Sequence, residues 1–133
     1  MIPSFEDNGL LPSGIHPATL AEIDLRFGIK SELRRVQMES VRWMIDLSVR
    51  AGVLRIILNR CFVSDTMEPN DVDCLFLIAA GFPKDRRAEK ELVDGLPFLD
   101  IRLVDQSEFD DFVNRFYAFD RFHVRKGVVE VIV

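Results

Sequence analysis

The chain of 133 residues has two cysteines, two histidines, one tryptophan, one tyrosine and no surplus of positive charge. Each scarcity excludes something. Cys61 and Cys74 are too few for a disulfide framework, and their spacing matches no zinc motif, so two reduced thiols are expected. Lys and Arg number 17 against 22 Asp and Glu, for a net charge of −5. That balance leaves no footprint for general nucleic-acid binding, with local basic patches conceivable only at Arg34-Arg35 and Lys84 to Arg87. No apolar run reaches the roughly 18 residues of a membrane span. The opening Met1 to Asp7 lacks the basic and apolar regions of a signal peptide. A cytoplasmic protein with no membrane partner is the expectation. No histidine lies close enough in sequence to Cys61 to serve as its base, so a thiol nucleophile has little support. His16 and His123 read as packing or backbone-bonded side chains.

What is abundant is apolar. Nearly half the residues are hydrophobic and eleven are phenylalanine, enough for one domain with a Phe-rich core and too little chain for two. Pro3, Pro12 and Pro17 with Gly9 and Gly14 make residues 1–17 an extended arm. Thr19 and Glu22 form a capping-box pattern for a short helix ending before Gly28. Ser31 caps a longer helix that Gly52 ends, with Leu33, Val36, Trp43 and Leu47 on the apolar face and Val41, Met44 and Ile45 widening it. Val53 to Leu58 and Val72 to Ala80 read as buried strands. Lys84 to Val93 is a polar helix, Phe98 to Val104 a third strand, and Ser107 the cap of a helix with Phe109, Phe112, Val113 and Phe116 on its buried stripe. Tyr117 and Phe119 beyond it are candidates for an exposed partner patch. A turn at Lys126-Gly127 leads into a last strand, Val128 to Val133. Helices alternating with strands give a single α/β (α+β) domain, a mixed sheet flanked by helices, over residues 1–133.

The chemistry concentrates between Asn59 and Asp73. Asp71 and Asp73 are two apart on a strand and so point the same way. Two close carboxylates repel unless a cation lies between them, and Mg²⁺ takes one or two carboxylates while keeping positions for water and phosphates. Asp100, near the start of a later strand, is the candidate third carboxylate for a two-metal arrangement. The plainer reading of the same residues makes Glu68-Pro69-Asn70-Asp71 a type I turn and Asp73 an edge-strand charge.

The stretch from Leu58 to Asp73 resembles the signature of the nucleotidyltransferase superfamily, the polymerase-β-like fold. There, a Gly-Gly or Gly-Ser pair precedes Asp-x-Asp or Asp-x-Glu by roughly ten residues. The segments Leu11 to Glu22, Phe62-Val63-Ser64, Glu68 to Asp73 and Lys126-Gly127-Val128 are similar to those of small bacterial nucleotidyltransferase-like proteins. The resemblance implies a mixed sheet with the Asp-x-Asp on a central strand. It implies Asp71, Asp73 and Asp100 as Mg²⁺ ligands and catalytic carboxylates, and transfer of a nucleotidyl group from a nucleoside triphosphate to a hydroxyl. Arg60, Cys61 and Ser64 fall where the phosphates would bind. Arg60-Cys61 departs from Gly-Ser: glycine lets backbone amides approach phosphate, and a thiol donates more weakly than a hydroxyl. The alternative is a catalytically inactive binding or assembly module, related to toxin–antitoxin pairs, that works with a protein partner or as a homo-oligomer.

Overall fold

A computed structural model describes residues 2–116, 118–119 and 122–133. In chain order these form strand β1 (Gly14–Thr19), helix α1 (Leu20–Phe27), helix α2 (Glu32–Ala51), strand β2 (Arg55–Asn59), a 3-10 turn (Arg60–Val63), strand β3 (Val72–Leu77), helix α3 (Arg86–Asp94), strand β4 (Leu99–Val104), helix α4 (Gln106–Asp111), a π-helical turn (Phe112–Phe116) and strand β5 (Gly127–Ile132). The strands make one mixed sheet in the order β1-β5-β2-β3-β4. β1 is parallel to β5 and β4 to β3, while β2 runs antiparallel to both its neighbours. The expected α/β class with a mixed sheet is therefore the observed one. No helix among the described residues is long and apolar enough to cross a membrane.

The helix signals act as the sequence suggests. The Thr19 hydroxyl accepts from Glu22 N, and Glu22 answers by accepting from Thr19 N, a reciprocal cap for α1. Ser31 caps α2, and Gly52 ends it in the left-handed region at φ 91°. The sheet buries both faces, unequally. Ile56, Leu58, Val72, Cys74, Phe76, Val129 and Val131 face the larger cluster, which α1, α2 and α3 cover with Ile23, Phe27, Met38, Val41, Met44, Leu47, Ala88 and Leu92. The opposite face carries Ile57, Leu75, Leu77, Val104 and Val128 against Phe109 of α4. Among the described residues, this short helix and the turn after it cover part of that second face.

Several expectations are corrected. Gly14 to Pro17 is extended as expected, but it is most of an edge strand paired to β5 and not only an arm; Pro17 is tolerated because an edge strand leaves half its amides unpaired. On α2, Val41, Met44, Ile45 and Leu47 are buried as expected, but Val36 and Trp43 are 44% and 54% exposed, and Arg34, Gln37, Met38 and Ser48 join the buried line. Arg34 is buried, so it makes no surface patch with Arg35. β3 stops at Leu77 rather than Ala80, and α3 begins after Asp85, whose side chain caps it by accepting from Arg87 N and Ala88 N. α4 is capped by Asp105, not Ser107, in a second capping box with Glu108. Tyr117, part of the suggested partner patch, lies outside the described residues.

Hydrogen bonds to backbone carbonyls help to fasten the N-terminal segment. Asp65 N donates to Gly9 O (3.0 Å), Gly127 N donates to Leu11 O (3.0 Å), and His16 Nε2 donates to Pro12 O (2.6 Å). Gly127 is required there, because a Cβ would collide with Pro12 O and with the His16 ring.

Candidate functional site

The Asn59-to-Asp73 loop is positioned by α2 through polar side chains one helical turn apart. Ser31 Oγ donates to Met67 O (3.1 Å), and Gln37 Nε2 donates to Pro69 O (2.6 Å). Between them Arg34, 2% exposed, donates to five backbone carbonyls: Phe27, Cys61, Phe62, Ser64 and Thr66, over 2.6 to 3.2 Å. Its guanidinium also lies over the Phe62 ring at 5.3 Å. A planar fork of five N–H donors suits such a set of acceptors as no other side chain does. Burial pulls the Arg34 pKa down, and the nearby Cys61 and Asp65 oppose that. The loop is thus tied to the helix by an unusually dense set of bonds.

At the head of this loop Arg60 adopts φ 62°, the left-handed region. The backbone takes here the conformation that favours glycine, at the position where the resembled signature has one, although the residue is arginine. Ser64 is buried and committed within the loop: its hydroxyl donates to Cys61 O (2.7 Å) and lies 2.9 Å from Thr66 Oγ1, and it accepts from Thr66 N. Cys61 is exposed and Cys74 buried, both as free thiols.

The strand register assembles the carboxylates. Asn59 of β2 pairs with Asp73 of β3, and Asp73 pairs with Asp100 of β4. Residues paired this way share a face, so Asn59, Asp73 and Asp100 form a row across three strands, on the face that α4 only partly covers. Asp71 stands just before β3 and is exposed. Asp73 is the half-buried member, with its side chain 20% exposed. Its pKa is pushed up to about 6, first by burial and then by Asp100, which is also hydrogen-bonded to it, and by Asp71; Arg60 works in the opposite direction. Arg60 Nε lies 3.7 Å from Asp73 Oδ2, while the arginine side chain is 64% exposed. This is a loose, solvated contact that leaves the carboxylates reachable. Burial raises the Cys74 thiol well above its usual range as well, with Asp73 and Asp100 adding to it.

The structure therefore brings Asp73 and Asp100 together with Arg60 beside them, places Asp71 at the rim, and turns Ser64 inward. Oxygen ligands from two neighbouring carboxylates match in kind what Mg²⁺ takes from a protein. Among the described residues, no three His, Cys, Asp or Glu side chains are gathered into a cage for an ion. Two residues in this region were not foreseen. Asn59 opens the stretch singled out in the sequence, yet its type signals no chemistry by itself. Lys126 looks like a turn residue, but it is 7% exposed and its ammonium donates to Asn59 Oδ1.

No curated protein and no solved structure matches the chain. One family model does, and it spans residues 3–132, nearly the whole fold described above. The chain belongs to that family, a family of unknown function (DUF6932).

Proposed function

We infer that the protein binds a nucleoside triphosphate with Mg²⁺ and transfers its nucleotidyl group to a hydroxyl acceptor. The observation that carries this reading is the in-register pair Asp73–Asp100, held side by side on the thinly covered face of the sheet, with Asp73 pushed up to about 6. Burial is the first cause of that rise; the neighbouring carboxylate adds to it, and two carboxylates side by side favour a cation between them. Asp73 and Asp100 would hold the ion, with Asp71 at the rim. Bound there, Mg²⁺ would neutralise phosphate charge and orient the triphosphate. The chain's own contribution is positioning: the loop fixed by Arg34 sets Arg60 and the backbone of Cys61 next to the carboxylates, and the strand register fixes the carboxylates themselves. The acceptor hydroxyl attacks the α-phosphate in line, its proton passes to Asp100, and pyrophosphate leaves.

A second reading is favoured by one observation, the Arg60–Asp73 contact at 3.7 Å. A resident guanidinium supplies positive charge where an ion would otherwise be needed. The protein is then an inactive binding or assembly module on the same fold, working with a protein partner or as a homo-oligomer. Thermal melting separates the two, because a ligand of the native state raises the midpoint. Under the enzyme reading, Mg²⁺ with at least one nucleoside triphosphate raises the wild-type midpoint and Asp73→Asn abolishes the rise. No rise in wild type or in Arg60→Gly/Cys61→Ser rejects it. A rise only in the double variant identifies a binding site that Arg60 has closed.

A further inference from the structure

We propose that β4 pairs antiparallel with β4 of a second copy of this chain, about a two-fold axis at Ile101, so that the two sheets join into one. The pairing does not depend on nucleotidyl transfer. It gives a homo-oligomer a specific surface, whichever of the two readings above holds for the carboxylates.

The edge is open. β4 ends the sheet, and among the described residues no strand lies beyond it. Phe98 O accepts from Val72 N (2.7 Å) and Val104 O accepts from Ile78 N (3.0 Å), so the even-numbered residues of β4 turn their backbone groups toward β3. The N–H and C=O groups of Ile101 and Leu103 therefore point outward, as does Leu99 O; Leu99 N donates locally to Leu96 O at 3.3 Å. On one face α4 leans inward, away from this edge: Phe109 packs with Ile57 and Leu75, and the guanidinium of Arg55 on β2 lies over its ring at 4.8 Å. On the other face Leu99, Ile101 and Leu103 are only partly buried against the main core, and a strand laid alongside would cover them further. The opposite edge of the sheet is poorly suited to extension. β1 carries Gly14 and Pro17, whereas β4 contains neither residue type.

The charges select the partner and the register. Asp100 and Arg102 stand two residues apart, both exposed, on the face that carries Asp73. An antiparallel partner must set outward-turned residues against one another, because those residues exchange the hydrogen bonds. With Leu99 opposite Ile101, the two copies of Asp100 face each other. With Ile101 opposite Leu103, the two copies of Arg102 do. With Ile101 opposite itself, each Asp100 faces Arg102 of the other copy, and Leu99 faces Leu103 on the other side of the sheet. Asp100 and Arg102 then form the kind of opposed pair that exchanges no backbone bonds, whose side chains approach more closely. The strand is thus complementary to itself in one register and repels itself in the neighbouring ones. Leu103 N–H reaches Leu99 O of the second copy, and the two Ile101 residues exchange their bonds, so the local Leu99–Leu96 bond survives.

Both side chains are placed for this. The Arg102 guanidinium lies over the Phe112 ring at 5.0 Å, which keeps it on the same face as Asp100. The Asp100 carboxylate has two oxygens, so it can meet an arginine across the new edge while keeping its hydrogen bond to Asp73. The row Asn59, Asp73, Asp100 then ends in Arg102 of the second copy, and association brings a cation to the carboxylates.

Analytical ultracentrifugation of the full chain, without metal or nucleotide, tests the pairing. Wild type is expected to be a reversible dimer at tens of micromolar. Asp100→Arg alone and Arg102→Asp alone each oppose like charges and should weaken self-association at least tenfold. An equimolar mixture of the two variants restores both ion pairs, and should form a heterodimer within about threefold of wild-type affinity. A chain that stays monomeric up to millimolar concentration overturns the pairing. So does a dimer that either single variant leaves unchanged, or a mixture that does not associate although both variants are folded by circular dichroism. If a variant fails to fold, spin labels on the exposed Cys61 of wild type decide the matter. Across the joined sheets these labels lie about five strand spacings of roughly 4.8 Å apart, with a further displacement along the strands, for a distance of roughly 20–40 Å. A distance outside that range, or none, overturns the pairing. A dimer that binds no triphosphate in the melting assay keeps the pairing and rejects the enzyme reading, and a monomer that binds one does the reverse.

Discussion

Replacing Asp73 with Asn should stabilise the protein at neutral pH. The side chain is 20% exposed, and its pKa stands at about 6 against an ordinary 3.8, chiefly through burial. The native state therefore holds on to this proton in a range where the unfolded chain has released it. Between pH 4 and 6 the folded form binds more protons than the unfolded one, so stability falls as pH rises through that window. At about 1.4 kcal/mol per pH unit, the displacement amounts to about 3 kcal/mol, fully felt above pH 6 and absent below pH 4. Asn is neutral at every pH, and its amide can donate to Asp100 as the protonated acid does. Loss of the Arg60 contact costs little, because that arginine is 64% exposed and surface pairs contribute roughly 0–1 kcal/mol. Urea unfolding of wild type and Asp73→Asn, with a chelator present and pH stepped from 3.5 to 8, isolates the effect as a difference between two curves. The curves should meet near pH 3.5 and separate to about 3 kcal/mol by pH 7.5, or roughly 10 °C in melting midpoint for a chain of this length. Parallel curves across the whole range would show that Asp73 titrates normally and would refute the account of a crowded, half-buried carboxylate.

Arg34→Met should cost about 4 kcal/mol or more and leave the chain largely unfolded by circular dichroism at 37 °C, because it strips donors from five carbonyls; a loss below about 1 kcal/mol would mean that water replaces the guanidinium freely. Arg60→Gly, measured at pH 4 where Asp73 is protonated, should raise stability by up to about 1 kcal/mol through relief of the left-handed backbone, and in a nuclear magnetic resonance titration the Asp73 carboxyl should move further above 6 once the opposing cation is gone. Gly127→Ala should cost more than about 2 kcal/mol and expose residues 2–12 to limited proteolysis, since its methyl group would occupy the place of Pro12 O; an unchanged urea midpoint would show that the two segments separate easily.

Much of the fold is legible because its signals are local. The Thr19–Glu22 box, the Ser31 cap, the αL residue at Gly52 and the β-branched strands act over a few residues, and each is where its chemistry suggests. Asp73 and Asp100, each near the start of a strand, are legible as candidates for one site; that their strands lie side by side and parallel is a property of the fold. What the sequence conceals is set by distant partners. Gly14 to Thr19 carries two poor strand residues and becomes a strand only because Gly127 to Ile132, far along the chain, lies beside it. On α2 the apolar pattern finds Val41, Met44, Ile45 and Leu47 but misplaces Val36 and Trp43, because the buried line also includes Arg34, Gln37 and Ser48, each bonded to backbone oxygen. Asn59 and Lys126 are ordinary residues whose significance lies in meeting each other across 67 positions.

The Arg34 clamp has a consequence for how the site responds to its surroundings. Its acceptors are backbone carbonyls, which carry no titratable proton, and its donor stays charged at any pH a protein meets. The group it steadies sits next to Asp73, whose charge changes near pH 6. Acidification through that point alters the charge of the sheet face while leaving the loop in place. Salt behaves likewise: buried bonds to carbonyls are screened little, whereas the exposed Arg60 contact weakens as ionic strength rises. The protein thus separates the part that holds shape from the part that senses charge, and the two can be perturbed one at a time.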